Sequence, residues 1–286
     1  RDWSSDVCSS DLLQMVGQSI AALAGAAAGM LITQGLTPEQ VDSWGWRVPF
    51  LFGLLIGPVG LYIRRHLSET EAFIEASASQ VERVGLLGLW RDHSRSVLAC
   101  FGLVVSGTIM YYVVLIYMPT YAKTQLHIPL ADAFVAQVAG LICLTLAIPL
   151  FGHLSDRIGR RPVLMAAMIC YLLLPYPMLA WLIADPGLLR LALMQVVLCT
   201  SVAISLGPVS TALAEQFPVH TRSTGLALAY NFAVMLFGGF AQLIVTWLIK
   251  ATGTPLAPAF YVMFGAVAGM LGAIFIVDRY DQDVLH

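Results

Sequence analysis

Eight long apolar segments, separated by shorter polar joints, make up most of this chain. A helix needs about 20 mainly apolar residues to cross a hydrocarbon core of about 30 Å. We therefore predict eight membrane-spanning helices, with approximate bounds Leu12–Thr33, Val48–Ile63, Val97–Pro119, Phe134–Phe151, Pro162–Ile183, Leu189–Ala214, Thr224–Ile249 and Ala257–Val277.

One long hydrophilic stretch, Arg64 to Ser96, interrupts this pattern after the second segment. Its Glu71-Ala-Phe-Ile-Glu75-Ala sequence is typical of an amphipathic helix that lies on a membrane surface. The joints between the last six segments are short, as expected for antiparallel neighbours in a helix bundle. The pattern predicts two helices, a linker and a six-helix bundle.

The first residues differ from the rest. They are polar, rich in Ser and Asp, and lack both an initiator Met and the features of a signal peptide. We interpret them as a non-native or disordered leader and expect the natural chain to begin earlier. The predicted organisation is leader 1–12, helices five and six of a first half 13–65, linker 66–96, bundle 97–278 and tail 279–286.

Composition agrees with a membrane protein. The chain is 58% hydrophobic and 11% charged, whereas soluble domains carry about 25% charged residues. The net charge of −2 gives no reason to expect a nucleic-acid partner. Four of the five cysteines lie within apolar runs without metal-binding spacing, so we expect no metal site. No nucleophile–base pair is visible in the apolar segments, so we expect no catalytic residues and no enzyme activity.

The distribution of Lys and Arg predicts the orientation in the membrane, because cytoplasmic loops carry an excess of these residues. One face receives ten of them: Arg64, Arg65, Arg83, Arg91, Arg95, Arg157, Arg160, Arg161, Arg222 and Arg279. The opposite face receives four: Arg47, Lys123, Arg190 and Lys250. The linker, the loop between the fourth and fifth segments and the C-terminus are therefore predicted to be cytoplasmic.

That loop carries a recognisable pattern. Its sequence, Gly152-His-Leu-Ser-Asp-Arg-Ile-Gly-Arg-Arg-Pro162, resembles the signature loop of the major facilitator superfamily. In that superfamily the loop joins helices two and three and, in a second copy, helices eight and nine. If the first segment is helix five, the loop falls between helices eight and nine. The resemblance implies an all-α polytopic membrane protein with a partial major facilitator fold: two helices of the first half and a complete second half.

Other segments narrow the resemblance. Trp44–Phe50, Gly57–Arg65, Glu69–Phe73 and Glu215–Gly225 are similar to the metabolite:proton symporter branch, which carries citrate, 2-oxoglutarate, other organic acids, proline or glycine betaine. This implies a monomeric secondary transporter of an organic acid or zwitterionic osmolyte in the bacterial inner membrane. It would work by proton symport and alternating access, with the proton as coupling ion and no cofactor. A sugar or drug carrier of the same superfamily is the alternative.

The resemblance also implies a gate at the cytoplasmic face. We expect Gly152 and Gly159 to let the backbone turn, and Asp156 to meet the start of the helix near Thr224. Expected ion pairs join Arg157 to Glu215 and Arg222 to either carboxylate. For Arg160 and Arg161, contact with lipid phosphates is an equal alternative.

The substrate site should lie among polar residues of the apolar segments, because such residues usually face a bundle interior or a cavity. A helix–helix hydrogen bond is equally expected for any one of them. We favour Tyr111, Tyr112, Gln137 and Asn231, which lie well inside their segments. Arg47 is a further candidate for an anion contact, although a position at the lipid interface is favoured. No ionisable residue lies near the middle of a segment, so proton-coupling residues are expected in helices that precede this sequence.

Overall fold

The computed structural model describes residues 2–54, 56–66, 86–217 and 222–276, without the side chains of 2–12, 86–93 and 222–223. The helices in these ranges are α1 Asp2–Gly35, α2 Pro38–Ser43, α3 Val48–Gly53, α4 Ile56–His66, α5 Leu86–Tyr111, α6 Met118–Gln125, α7 Leu130–Ile158, α8 Arg160–Leu173, α9 Pro175–Ala184, α10 Leu188–Ala214, α11 Arg222–Ala233, α12 Ala241–Thr252 and α13 Ala257–Phe275. A 3₁₀ turn at Gly45–Arg47 joins α2 to α3. Wide π-helical turns at Tyr112–Tyr117 and Val234–Gly239 join α5 to α6 and α11 to α12.

These helices form the eight predicted membrane spans. Within the described ranges, 7 helices are long and apolar enough to cross a bilayer, and a pair bent by 41°, Thr224–Gly239 with Ala241–Thr252, makes up to 8. The predicted all-α polytopic fold is confirmed. An α-helix suits this environment because it satisfies its backbone polar groups internally where no water is available.

Two helices begin earlier than the hydrophobic pattern predicts. The backbone of α1 is helical from Asp2, so residues 2–12 extend the helix whose candidate membrane span is Leu13–Gly35. The non-native origin of these residues stays a prediction. The helix α5 begins at Leu86, inside the predicted linker. The predicted amphipathic helix around Glu71 and the C-terminal tail lie outside the described residues.

The core of the six-helix bundle includes a close contact between α5 and α13. A Cβ atom on Gly102 would lie 2.6 Å from the carbonyl oxygen of Ala268, and one on Gly272 would lie 2.6 Å from that of Ala99. Small residues at such contacts let the helix backbones approach, which matters in lipid because apolarity alone gives helices no preference for one another. These glycines therefore set the spacing of the two helices.

A second close contact joins α7 to α10 and corrects the prediction for Gly152. We expected Gly152 to form part of a turn, but it is buried inside α7. A Cβ atom on Gly207 of α10 would lie 2.6 Å from the backbone nitrogen of Gly152. Gly207 therefore lets the two backbones approach, and Gly152 lies at this contact as a helical residue without a left-handed conformation.

The turn of the signature loop is made by Gly159 alone. The helix α7 ends at Ile158 and α8 begins at Arg160, with Gly159 between them at φ 95° and ψ 158°. This region of backbone space is essentially restricted to glycine. The loop is thus a one-residue break that holds the ends of α7 and α8 together.

Candidate functional site

A cavity of about 160 Å³ lies between α1, α5, α10 and α11. No lining side chain among the described residues carries a formal charge. The polar lining residues are Gln18, Thr108, Tyr111, Tyr112, Ser205, Ser210 and Tyr230. The cavity is therefore neutral, with hydroxyl groups set among mainly apolar side chains of membrane-spanning helices.

Two of the predicted cavity residues line this cavity. Tyr111 and Tyr112 both contribute to its wall, with ring centroids 6.2 Å apart and planes inclined at 61°. Tyr230, which the sequence analysis did not select, lines it from α11. Its neighbour Asn231 is exposed and does not belong to the lining. The apolar segment around these two residues gives no signal that distinguishes the cavity side of the helix.

Arg47 also lies away from the cavity. Its guanidinium donates a hydrogen bond to the carbonyl oxygen of Ser43 and stacks 4.4 Å from the ring centroid of Trp46. Both partners belong to the short helical region between α1 and α3. The position at the lipid interface that the sequence analysis favoured for Arg47 stays a prediction.

Gln137 supports a wide turn beside the cavity. Its Nε2 donates a hydrogen bond to the carbonyl oxygen of Leu115, and the Nε2 of Gln195 donates to that of Val114 at 3.1 Å. Both carbonyls belong to the π turn Tyr112–Tyr117, where the regular helical hydrogen bonds are interrupted. In a membrane span, such backbone groups need partners from neighbouring helices, and α7 and α10 supply them.

The other π turn, Val234–Gly239, also receives a side-chain hydrogen bond from a neighbouring helix, and it contacts the turn Tyr112–Tyr117. The Tyr261 hydroxyl of α13 donates to the carbonyl oxygen of Phe237 at 3.1 Å. A Cβ atom on Gly238 would lie 2.9 Å from the Tyr112 ring. Tyr112 and Val234, the first residues of the two turns, both line the cavity. The cavity thus lies where the two irregular spans meet.

The signature loop places an ion-pair cluster at the ends of three helices. Arg160, the first residue of α8, donates from Nη1 to the carboxylate of Asp156 and, at 3.1 Å, to the Ser155 hydroxyl. Its Nε lies 3.5 Å from the Glu215 carboxylate at the end of α10. The side chain of Arg160 is only 14% exposed, so these charges are screened less than those of a surface pair. One guanidinium therefore connects α7, α8 and α10.

The structure joins Arg160 to Glu215, a contact that the sequence analysis did not predict. The predicted pairing of Arg157 with the same carboxylate stays a prediction. Asp156 and Arg160 are four positions apart across Gly159, which brings their side chains together. The partners of Arg157 and Arg161 stay predictions. The contact of Asp156 with the start of α11 and the pairing of Arg222 involve side chains outside the described set.

Comparison with known proteins identifies the family. The sugar (and other) transporter family matches residues 64–281, well over half of the chain. The chain belongs to this family of the major facilitator superfamily. Membership accounts for the signature loop and for the bundle of six spans that follows the linker.

Individual members of the family are similar over most of this chain. The citrate-proton symporters of Salmonella typhi and Klebsiella pneumoniae are 31% and 33% identical, over 94% and 93% of this chain and 62% and 60% of their own length. The proline/betaine transporter of Escherichia coli strain K12 is 29% identical, over 90% of this chain and 53% of its own length. The chain thus spans between half and two thirds of these relatives. These similarities agree with the metabolite:proton symporter branch, and the relatives are transporters, not enzymes. No solved structure matches the chain.

Proposed function

We propose that this chain forms part of a secondary active transporter that moves a small metabolite across the bacterial cytoplasmic membrane. The substrate is an organic acid or a zwitterionic osmolyte, and it moves together with a proton by alternating access. The observation that carries this proposal is the uncharged cavity between four membrane-spanning helices, with several hydroxyl groups in its wall. Family membership and the names of the relatives support it.

The Arg160 cluster serves as part of a gate at the cytoplasmic face. Asp156, Arg160 and Glu215 connect the ends of three helices on the side that the Lys and Arg distribution predicts to be cytoplasmic. A set of ion pairs of this kind stabilises one arrangement of the helices and is lost in another. It can therefore bias the equilibrium between inward-closed and inward-open states.

Proton coupling depends on groups outside the described spans. In the part of each span that the structure describes, the middle contains no Asp, Glu, Lys, Arg or His. A proton relay needs a group that titrates, and intramembrane ionisable residues supply it in transporters. The proton is the coupling ion, no cofactor takes part, and the transporter works as a monomer with its C-terminus in the cytoplasm.

Uptake assays test the proposal. The complete protein encoded by the gene that contains this chain is reconstituted in proteoliposomes, with an imposed inward proton gradient and labelled citrate, 2-oxoglutarate, proline or glycine betaine. The proposal predicts uptake of at least one of these compounds, and a protonophore should abolish it. Uptake that a protonophore leaves unchanged would contradict proton symport.

A sugar carrier is the second candidate, because the matching family takes its description from sugar transport. Uptake of a labelled hexose in the same proteoliposomes separates the two candidates. Proton-driven uptake of the hexose, with no uptake of the four metabolites, would favour the sugar carrier.

A further inference from the structure

We propose that the cavity binds a small zwitterion, with a quaternary or secondary ammonium group against the tyrosine rings and a carboxylate at the serine and threonine hydroxyls. This inference rests on the proposed transport function and narrows its substrate. It selects one of the two substrate classes that the similar transporters carry.

The aromatic side of the cavity suits an ammonium group. Tyr111 and Tyr112 present rings at 61° to each other, with centroids 6.2 Å apart, and Tyr230 adds a third ring to the same wall. The faces of aromatic rings attract alkylated ammonium groups, and several rings at steep angles form the usual recognition site for them. Such a group needs no carboxylate partner, which agrees with an uncharged wall.

Tyr112 has limited freedom to move away. The Tyr112 ring lies against the backbone of Gly238, where even a Cβ atom would come within 2.9 Å. The turn that begins at Tyr112 is held by the glutamines of α7 and α10. A fixed ring position lowers the entropy cost of binding a ligand.

The hydroxyl side of the cavity suits a carboxylate. Thr108 of α5 and Ser205 and Ser210 of α10 line the same space. The Ser210 hydroxyl oxygen is buried and has no hydrogen-bond partner in the part of the chain that the structure describes. A buried hydroxyl without a partner is unfavourable, and a ligand carboxylate that accepts a hydrogen bond from it removes this cost.

A polycarboxylate fits this wall poorly. Each carboxylate that leaves water needs a cation or several strong donors to compensate for its desolvation. The described wall supplies neutral donors and no Lys, Arg or His; Arg47 and Arg160 lie elsewhere. A zwitterion is neutral overall, so it enters at a lower desolvation cost than a trianion of similar size.

The test compares substrates and ring variants in the complete protein in proteoliposomes, with glycine betaine, proline and citrate as probes. We expect proton-driven uptake of glycine betaine or proline, with no competition from citrate. Tyr111→Leu removes a ring face and should raise KM by about tenfold, whereas Tyr111→Phe, which keeps the face, should stay within about threefold. Ser210→Ala is a second variant, expected to raise KM with little effect on folding.

Tyr176→Leu provides the matched control. This tyrosine packs on Phe260, 5.8 Å between centroids, at the exposed surface of the bundle, so uptake should not change. Citrate uptake without uptake of either zwitterion would overturn the inference and leave the proposed function standing. An unchanged KM in both Tyr111→Leu and Ser210→Ala would also overturn it. Absence of any proton-driven uptake would reject the proposed function itself, and the inference with it.

Discussion

The side-chain amide of Gln195 donates a hydrogen bond to the carbonyl oxygen of Val114, 3.1 Å away on a neighbouring span. Gln137 does the same for Leu115 from another helix. Two buried glutamines, 1% and 9% exposed, therefore complete the hydrogen bonding of a wide turn that regular helix geometry leaves open. The turn begins at Tyr112, which lines the cavity. The glutamines that support this part of the backbone therefore also help to hold a residue of the cavity wall in place.

Replacement of Gln195 by Leu should destabilise the protein. The Val114 carbonyl would lose its side-chain donor in an apolar environment, at a cost of about 1–3 kcal/mol. The expected result is a lower melting temperature in detergent and a higher KM for substrate, because Tyr112 would be held less firmly. Gln242→Leu is the control, since Gln242 is exposed on α12. Equal melting temperatures for the two variants would contradict the role of Gln195.

Loss of the Arg160 cluster should favour the inward-open state. Arg160→Gln and Asp156→Asn each remove a charge from the same network, so both should reduce transport without abolishing expression. Arg160→Lys should transport little better than Arg160→Gln, because a single ammonium group cannot reproduce the forked geometry by which a guanidinium reaches several oxygens. Transport rates of the complete protein provide the measurement.

Arg190→Gln is the matched control for this cluster. Arg190 pairs with Asp185 at 3.1 Å, but that carboxylate is 75% exposed and lies on the opposite face. Exposed pairs contribute about 0–1 kcal/mol, so transport should be nearly unchanged. If Asp156→Asn transported as well as this control, the gate would be disproved.

A methyl group at Gly207 should disturb the packing of α7 on α10. The Cβ of Gly207→Ala would meet the backbone nitrogen of Gly152 at 2.6 Å, and a backbone cannot move as a flexible side chain can. Overpacking of this kind costs about 1–3 kcal/mol. Gly25→Ala is the control, since a Cβ there meets nothing within 4 Å. The measurement is the yield of monodisperse protein after detergent extraction, which should fall for Gly207→Ala and stay unchanged for Gly25→Ala.

The orientation can be tested with single cysteines in a background that lacks the native ones. Arg161→Cys marks the signature loop and Pro186→Cys the joint between α9 and α10. A membrane-impermeant maleimide should label only Pro186→Cys in intact cells, and Arg161→Cys after permeabilisation. Labelling in the reverse order would invert the predicted topology.

The sequence predicted the elements that depend on local pattern. Segment length and apolarity located the eight spans, and the glycine between charged residues located the turn at Gly159. Gly152 belongs to the same motif, yet its role depends on Gly207, 55 positions later. Nothing in the local sequence identifies that partner.

The candidate site was only partly predictable, because it too depends on contacts between residues far apart in the sequence. Tyr111 and Tyr112 were favoured as polar residues well inside an apolar segment, and both line the cavity. Gln137 was favoured on the same ground, but its amide faces a backbone carbonyl at an irregular turn that sequence periodicity does not reveal. Likewise, the contact of Arg160 with Glu215 depends on how three helix ends meet.

Proton movement driven by substrate tests the central claim most directly. The complete protein is reconstituted in proteoliposomes that contain a pH-sensitive dye, and substrate is added outside without an imposed gradient. The account predicts acidification of the interior when glycine betaine or proline is added, and none in liposomes without protein. Substrate uptake with no change of internal pH, under conditions where the dye responds to added acid, would contradict it.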